Sequence, residues 1–380
     1  MERVVYLLGA GFSAPFGIPL MSNFLEKSKD MYSEDRDSFK HFEKIFEAID
    51  KIAKSAIYYS TDVFNIEEIL SILEIDEQLE NKGLRKSFEK YVKDVIQYYT
   101  PKLKSYQKSL SVAPEWYNYL FGDPILNLNK LWGEFGFFVA NIYNLIFRRE
   151  EPDPIPKGRK IRCSVEPTPG TQYSIITLNY DLILECVCDF INENYSSDKN
   201  VNFADEIIIG TQQANLNPYK PILAKLHGSI DTTIVPPTWN KAKINKGILD
   251  SWRLAHKALV NANHIRIIGY SLPITDTYIR YLLKSAAVDV FNLKTIDVIC
   301  LDPNGTIKKK YEEFIRFGEY GRLRFANAKV EQYLAENRRI CTPQETIDEM
   351  KMNKLELAHD IFFSKIDPET SEYVNRAYGA

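Results

Sequence analysis

Five consecutive apolar residues, Val4-Val5-Tyr6-Leu7-Leu8, run straight into Gly9-Ala10-Gly11. A strand that is apolar at both odd and even positions must be covered on both faces, a condition met inside a parallel sheet flanked by helices. The chain therefore reads as α/β from its start. The strands that should complete the sheet come much later, at residues 173–178, 206–209, 221–226, 264–268 and 296–301, with helices after Asp181, Asp276 and Asn304. Between them, residues 37–148 keep a helical spacing. Phe42, Ile45, Phe46, Ile49 and Ile52 repeat at three and four, as do Ile66, Ile69, Leu70 and Leu73, and Trp132, Phe135, Val139, Ile142 and Ile146.

The expected organisation is a sheet domain formed by residues 1–30 and 170–335, an all-helical insertion at 31–150, a Pro-rich linker or lid at 151–169, and a C-terminal helical extension at 336–380. Pro152, Pro154, Pro156, Gly158, Pro167 and Pro169 break regular structure across the linker. Thr342-Pro343-Gln344-Glu345 combines an N-cap, a first-turn proline and an acid at the third position, so a closing helix is expected to begin there.

Composition removes several function classes. Hydrophobic residues make up 45%, enough apolar area to offset the ordering entropy of a large core and to exclude disorder as the main state. The 48 basic and 51 acidic residues nearly balance, which argues against a general nucleic-acid coat, because counterion release needs a clustered basic surface. Cys163, Cys186, Cys188, Cys300 and Cys341 are odd in number and contain no C-x-x-C pair, so neither a disulfide framework nor a Cys-rich zinc module is signalled. The reading is a reducing, cytoplasmic compartment, with no membrane span or signal segment.

Five strand ends carry the candidate chemistry. Gly9-Ala10-Gly11-Phe12-Ser13 is followed by Gly17-Ile18-Pro19; the glycines would let backbone N–H groups approach a pyrophosphate, and Ser13 adds a hydroxyl. Gly9-x-Gly11-x-x-Ala14 satisfies the dehydrogenase fingerprint formally, but Pro15, Gly17 and Pro19 interrupt the helix that fingerprint requires. Thr177-Leu178-Asn179-Tyr180-Asp181 ends the next sheet strand, where Asn179 and Asp181 serve either a ligand or a helix start. Leu226-His227-Gly228 places an imidazole at a strand end. In Gly269-Tyr270-Ser271-Leu272-Pro273 a proline replaces the final glycine of a nucleophile elbow, so a phosphate or ribose contact is the better use. Asp302, after the last strand, either holds ribose hydroxyls or caps the following helix. His41, His227, His256, His264 and His359 form no short-spaced ligand set, so no metal is expected, and Cys186-x-Cys188 reads as two small buried helix residues.

This ordered set resembles the sirtuin superfamily, specifically the sirtuin-like (SIR2-like) branch of bacterial anti-phage defence proteins. The resemblance covers residues 1 to about 30 and about 170 to 335 and rests on the five motifs above, with Asp276 accompanying the fourth. It implies an α/β fold, a Rossmann-like parallel sheet with helices on both faces, that binds NAD+ as substrate and, in many members, hydrolyses it to nicotinamide and ADP-ribose. Leu20-Met21-Ser22 stands where deacylating sirtuins carry Asp-Phe-Arg, and their four-cysteine zinc module is missing, so protein deacylation is not expected.

For that reaction the resemblance makes Asn179, His227 and Asp181 catalytic. Asn179 would hold a ribose hydroxyl and the attacking water, His227 would accept a proton, and Asp181 would fix the nicotinamide carboxamide. Gly9, Ala10, Gly11, Ser13, Gly17, Gly269, Ser271 and Asp302 would surround the phosphates and ribose. By the same resemblance the partners are further copies of the chain and a hexameric DNA-translocase ATPase of the HerA type, with nucleic acid met only through that partner. The alternatives are an NAD+ or ADP-ribose sensor, and a structural subunit of a DNA-processing defence complex with nuclease activity.

Overall fold

The computed structural model describes residues 1–55, 57–58, 66, 68–69, 71–73, 84–101, 115–122, 127–149, 161–167, 169–197, 201, 220–232, 234, 246–274, 276–288, 292–316, 321–345 and 347–374. The strand expected at 206–209 and most of the Pro-rich stretch lie outside the described residues.

Six parallel strands form the main sheet: β1 (Glu2–Leu8), β4 (Thr171–Thr177), β6 (Ile222–Lys225), β7 (His264–Ile268), β8 (Thr295–Cys300) and β9 (Leu323–Asn327). They lie in the order β6-β4-β1-β7-β8-β9. Numbered along the chain this is 3-2-1-4-5-6, the order of the doubly wound Rossmann-like sheet, whose direction of growth reverses between its first and fourth strands. Here that reversal falls between β1 and β7.

The apolar run in β1 divides as the sequence demands. Val4, Tyr6 and Leu8 enter one core while Val5 and Leu7 enter the other. On the second face lie helices α7 (Lys246–Val260), α8 (Thr277–Val288) and α9 (Thr306–Phe314), supplying Leu254, Ile279 and Tyr311. On the first face lie the insertion helices α2 (Phe24–Glu34), α3 (Phe42–Ser55), α4 (Leu84–Tyr99) and α5 (Asn127–Ile142), together with α6 (Ile183–Asn194), α10 (Val330–Cys341) and α11 (Leu355–Ser364). The short α1 (Ala10–Ser13) follows β1 directly.

Four expectations differ from the structure. The sheet does not end at residue 301, because β9 follows β8 and pairs with it in parallel. The insertion is not wholly helical: α5 stops at Ile142, Asn144 turns left-handed (φ 50°), and Ile146 belongs to strand β2 (Leu145–Arg149). Asn144 holds that turn by donating from Nδ2 to the Thr171 carbonyl at 3.2 Å. Within the stretch read as linker, β3 (Ile161–Val165) alternates buried Ile161 and Cys163 with Arg162 and pairs with β2. β5 (Ser196–Ser197) and β10 (Glu349–Lys351) complete this second sheet in the order β10-β2-β3-β5. Finally, no helix begins at Thr342, whose hydroxyl donates back to Arg338 O at 2.7 Å and closes α10; the last helix starts at Leu355.

α11 is fastened to the sheet by a polar chain whose middle, Arg266, Asp297 and His359, is buried. Arg266 of β7 pairs in bidentate fashion with Glu356 at 2.9 and 2.6 Å, and Arg324 of β9 does the same with Asp297 of β8 at 2.6 and 2.9 Å. His359 lies between Asp297, 3.0 Å from Nε2, and the Tyr333 hydroxyl, 3.2 Å from Nδ1. Burial foremost, then the positive charge of Arg266, bring His359 down to about 3, so the imidazole is neutral in the fold.

Candidate functional site

Open α/β sheets gather ligands outside the carboxyl ends of their strands, at the point where the strand order reverses. Two cavities meet there. A cavity of about 520 Å³ spreads over the ends of β7, β8 and β9, lined by Gly269, Ser271, Leu301, Lys329 and Glu331. A smaller one, about 50 Å³, lies over β4 and contains Ser13, Asn179, Tyr180 and Asp181 in its wall. Ala10 and Met21 line both, so the segment from α1 to Met21 runs between them.

The loop after β1 is built by close backbone contact. A Cβ on Gly9 would stand 2.6 Å from Gly269 O, one on Gly11 2.8 Å from Gly269 Cα, and one on Gly269 2.4 Å from Phe12 N. The N–H groups of Gly9 and Gly11 donate to Ile268 O and Gly269 O, each at 2.9 Å. Gly11 also lines the larger cavity, and Gly9 does not. Their bare Cα atoms are used to seat the β1 loop against the β7 loop, and their N–H groups are already spent. Gly17 is glycine for another reason, a left-handed φ of 84° that ends the 3₁₀ turn Ala14–Phe16.

Asn179 is the most telling residue. It is buried, and its Nδ2 donates to Gly9 O at 3.0 Å and Ser13 Oγ at 2.9 Å. Because a carbonyl can only accept, the contact with Gly9 fixes which way the amide points. Oδ1 is then left buried with no hydrogen-bond partner among the described residues. Leaving an acceptor in that condition costs roughly 1–3 kcal/mol, so a buried orphan beside a cavity marks a place for a donor. Asp181 shares the cavity wall and also receives the Ile183 N–H at 3.1 Å, starting α6.

His227 leaves the neighbouring strand end. Thr177 faces Lys225 in the β4–β6 register, so Asn179 and His227 each lie two residues beyond a paired position, on strands spaced ~4.8 Å apart. The imidazole is buried against the Tyr180 ring, centroids 6.2 Å apart, and does not line the small cavity. Sequence reasoning missed Lys225 beneath it. Its ammonium donates to Glu185 Oε1 at 2.7 Å, to Ser229 Oγ at 3.1 Å and to the Asp181 carbonyl. A lysine closing the otherwise apolar strand Ile222–Lys225 was the available signal. Burial pushes the Glu185 carboxyl up, and Lys225 opposes that rise.

Also missed was the apolar roof of the small cavity, Phe88, Val92 and Ile96 from α4 with Phe24 and Ile66. Of these residues only Ile66 stands in a helical spacing picked out from the sequence. Ser271 lines the large cavity, whereas Asp302 does not. Both Asp302 oxygens accept backbone N–H groups of α9, from Ile307 at 3.1 Å and Lys308 at 2.8 Å, so the capping alternative is what its contacts show. Tyr270 donates to the buried Asp276 at 2.9 Å and ties the loop after β7 to the start of α8.

The sheet order defines a doubly wound, Rossmann-like α/β architecture, whose strand-order reversal falls between β1 and β7. Residues 173–290 match the family described as SIR2-like domain. Among solved structures the chain is similar to a crystal structure of Sir2 in complex with the inhibitor EX-527, 2′-O-acetyl-ADP-ribose and deacetylated p53 peptide, at 12% identity and a TM-score of 0.26, covering 89% of this chain and 92% of that one. The strand order, not that superposition, defines the fold. No curated protein sequence matches the chain significantly. Among the described residues no helix is long and apolar enough to cross a membrane.

Proposed function

We propose that the chain is an NAD+ glycohydrolase that lays the dinucleotide across the two cavities and cleaves its nicotinamide–ribose bond. The observation that carries this reading is the buried, unpartnered Oδ1 of Asn179 beside the small cavity, with the SIR2-like match in support. The larger cavity falls within the ~300–1,000 Å³ of ligand pockets and suits the ADP portion, with Ser271 at its wall. On the Asn179 side lies the reacting sugar. Water adds to the ribose C1′ as the C–N bond breaks; the bonding pair leaves with nicotinamide, which departs neutral, and one proton is released. The pyridinium leaving group needs no acid, so the protein's tasks are to orient the ribose and support the cationic centre that develops. Asn179 Oδ1 accepts from a ribose hydroxyl or from the water, Ser13 Oγ stands beside it, and His227 is the acceptor for the proton.

The small cavity has room for only a few waters, at ~10–15 Å³ each. Helix α4 must therefore withdraw before a nicotinamide riboside can enter, and His227 must come to face it. That fits an enzyme kept silent until it assembles with copies of itself and with a hexameric HerA-type DNA-translocase ATPase, since unchecked NAD+ cleavage would deplete its own cell. The effector role in anti-phage abortive infection belongs to the same proposal. The closed cavity also favours a second reading, in which the chain binds NAD+ or ADP-ribose and signals without cleaving. Nicotinamide release from NAD+ by the full chain, alone and with the ATPase, separates them: release that Asn179→Ala abolishes supports the hydrolase, while binding with no release in any assembly supports the sensor.

A further inference from the structure

Lys225 sits where the two strand-end loops of the site meet. An ammonium has three N–H donors on a compact, tetrahedral head. All three have acceptors here, each on a different segment: the Asp181 carbonyl in the loop after β4, Glu185 in the first turn of α6, and Ser229 in the turn after β6. Two further bonds close the same junction. Ser229 Oγ lies 3.3 Å from Tyr180 O, and Ile230 N donates to Tyr180 O at 3.0 Å. The loop carrying Asn179 and Asp181 is thereby joined to the turn carrying His227, and Lys225 is their common attachment.

We infer that Lys225 is a positioning residue that sets the separation of Asn179 and His227 by holding the β4 and β6 loops as one unit. Its side chain is 13% exposed, and among the lining residues of the small cavity its place is taken by Tyr180 and Asp181. It therefore acts through the loops rather than on the ligand. The tripod also explains why lysine stands here: a planar guanidinium cannot direct its donors to three acceptors arranged around one point. The catalytic consequence rests on the hydrolase reading above; the mechanical one does not.

Two readouts on the full chain separate those parts. The first is amide hydrogen exchange. In Lys225→Met the amides of residues 178–182 and 227–231 exchange faster together, by about tenfold or more, while those of β7 to β9 keep their wild-type rates. Acceleration in only one loop, or in neither, overturns the coupling. The second is steady-state NAD+ cleavage in whatever assembly state the wild type is active. Displacing a reacting group by ~1 Å can cost ~10²-fold, so kcat falls at least about tenfold while KM stays within about threefold. Ser229→Ala, a milder change that keeps the fold if Lys225→Met does not, lowers kcat less, and adding it to Lys225→Met costs nothing more. Wild-type kcat in both single variants, or losses that multiply in the double variant, overturns the positioning role. A wild type that releases no nicotinamide defeats the hydrolase reading alone, because the exchange result still decides what Lys225 does.

Discussion

Gly269→Ala tests whether the first and fourth strand-end loops are truly seated on each other. The alanine Cβ would lie 2.4 Å from Phe12 N, 2.5 Å from Gly11 C and 2.8 Å from Gly11 Cα, all backbone atoms that cannot rotate away. Gly269 also has a φ of 65°, where an L side chain costs ~1–2 kcal/mol. Overpacking against fixed neighbours adds ~1–3 kcal/mol, for a total loss of about 2–5 kcal/mol. Gly17 is the internal control, with a φ of 84° but nothing within 4 Å of its Cβ position, so Gly17→Ala should lose only the ~1–2 kcal/mol backbone cost. Urea unfolding followed by tryptophan fluorescence compares the two, and an ADP-ribose titration adds a second measure. Because the displaced loop holds Gly9 O, the acceptor that orients Asn179, only Gly269→Ala should weaken ADP-ribose binding. Equal destabilisation by the two alanines, or tight binding retained in Gly269→Ala, would refute the loop-on-loop account.

Asp302→Ala should destabilise the chain by ~1–2 kcal/mol, the worth of a helix cap, with ADP-ribose affinity unchanged; a tenfold weaker affinity would return Asp302 to the ligand site. The clasp on α11 predicts an acid sensitivity. His359 is held at about 3 in the fold against ~6.5 unfolded, so its contribution is fully present above ~6.5 and is lost as pH falls and the unfolded chain takes up a proton the fold refuses. Between pH 7 and 5 this amounts to about 2 kcal/mol. Asp297, held far below the usual carboxylate range by Arg324 and His359 despite its burial, titrates outside that window. Unfolding free energies of His359→Gln should therefore change less between those two pH values than those of the wild type, and parallel slopes would contradict a neutral buried imidazole.

What could be read from the sequence was whatever local patterning encodes. Val4 to Leu8 announced a strand covered on both faces, and Phe42, Ile45 and Ile49 announced an amphipathic helix, because each pattern is complete within a dozen residues. Asn179 could be singled out from its place at a strand end, yet the observation that gives it meaning, an amide held by Gly9 and Ser13 with its oxygen left over, needs residues 166 to 170 positions away. β2 and β3 were hidden for the same reason. Ile146 continues the helical spacing of α5 until Asn144 turns the chain, and the alternation in Ile161 to Val165 is short and flanked by prolines. Thr342 presents an N-cap signature, but its hydroxyl is taken by the helix behind it. Arg266 and Asp297 look like misplaced charges in apolar strands until Glu356, Arg324 and His359 arrive from elsewhere in the chain. The roles of Gly9, Gly11 and Gly269 were half legible: the need for glycine was plain, but whether a phosphate or another loop lay against it was not.

A crystal structure of the chain with NAD+ bound decides whether one dinucleotide bridges the two cavities. The ADP portion should lie over the ends of β7 to β9, the chain of the molecule should pass Ala10, and a hydroxyl of the nicotinamide-side ribose should stand within hydrogen-bond distance of Asn179 Oδ1. Density confined to the larger cavity, with Asn179 Oδ1 bonded to protein and α4 still closed over it, would rule out a dinucleotide that spans both.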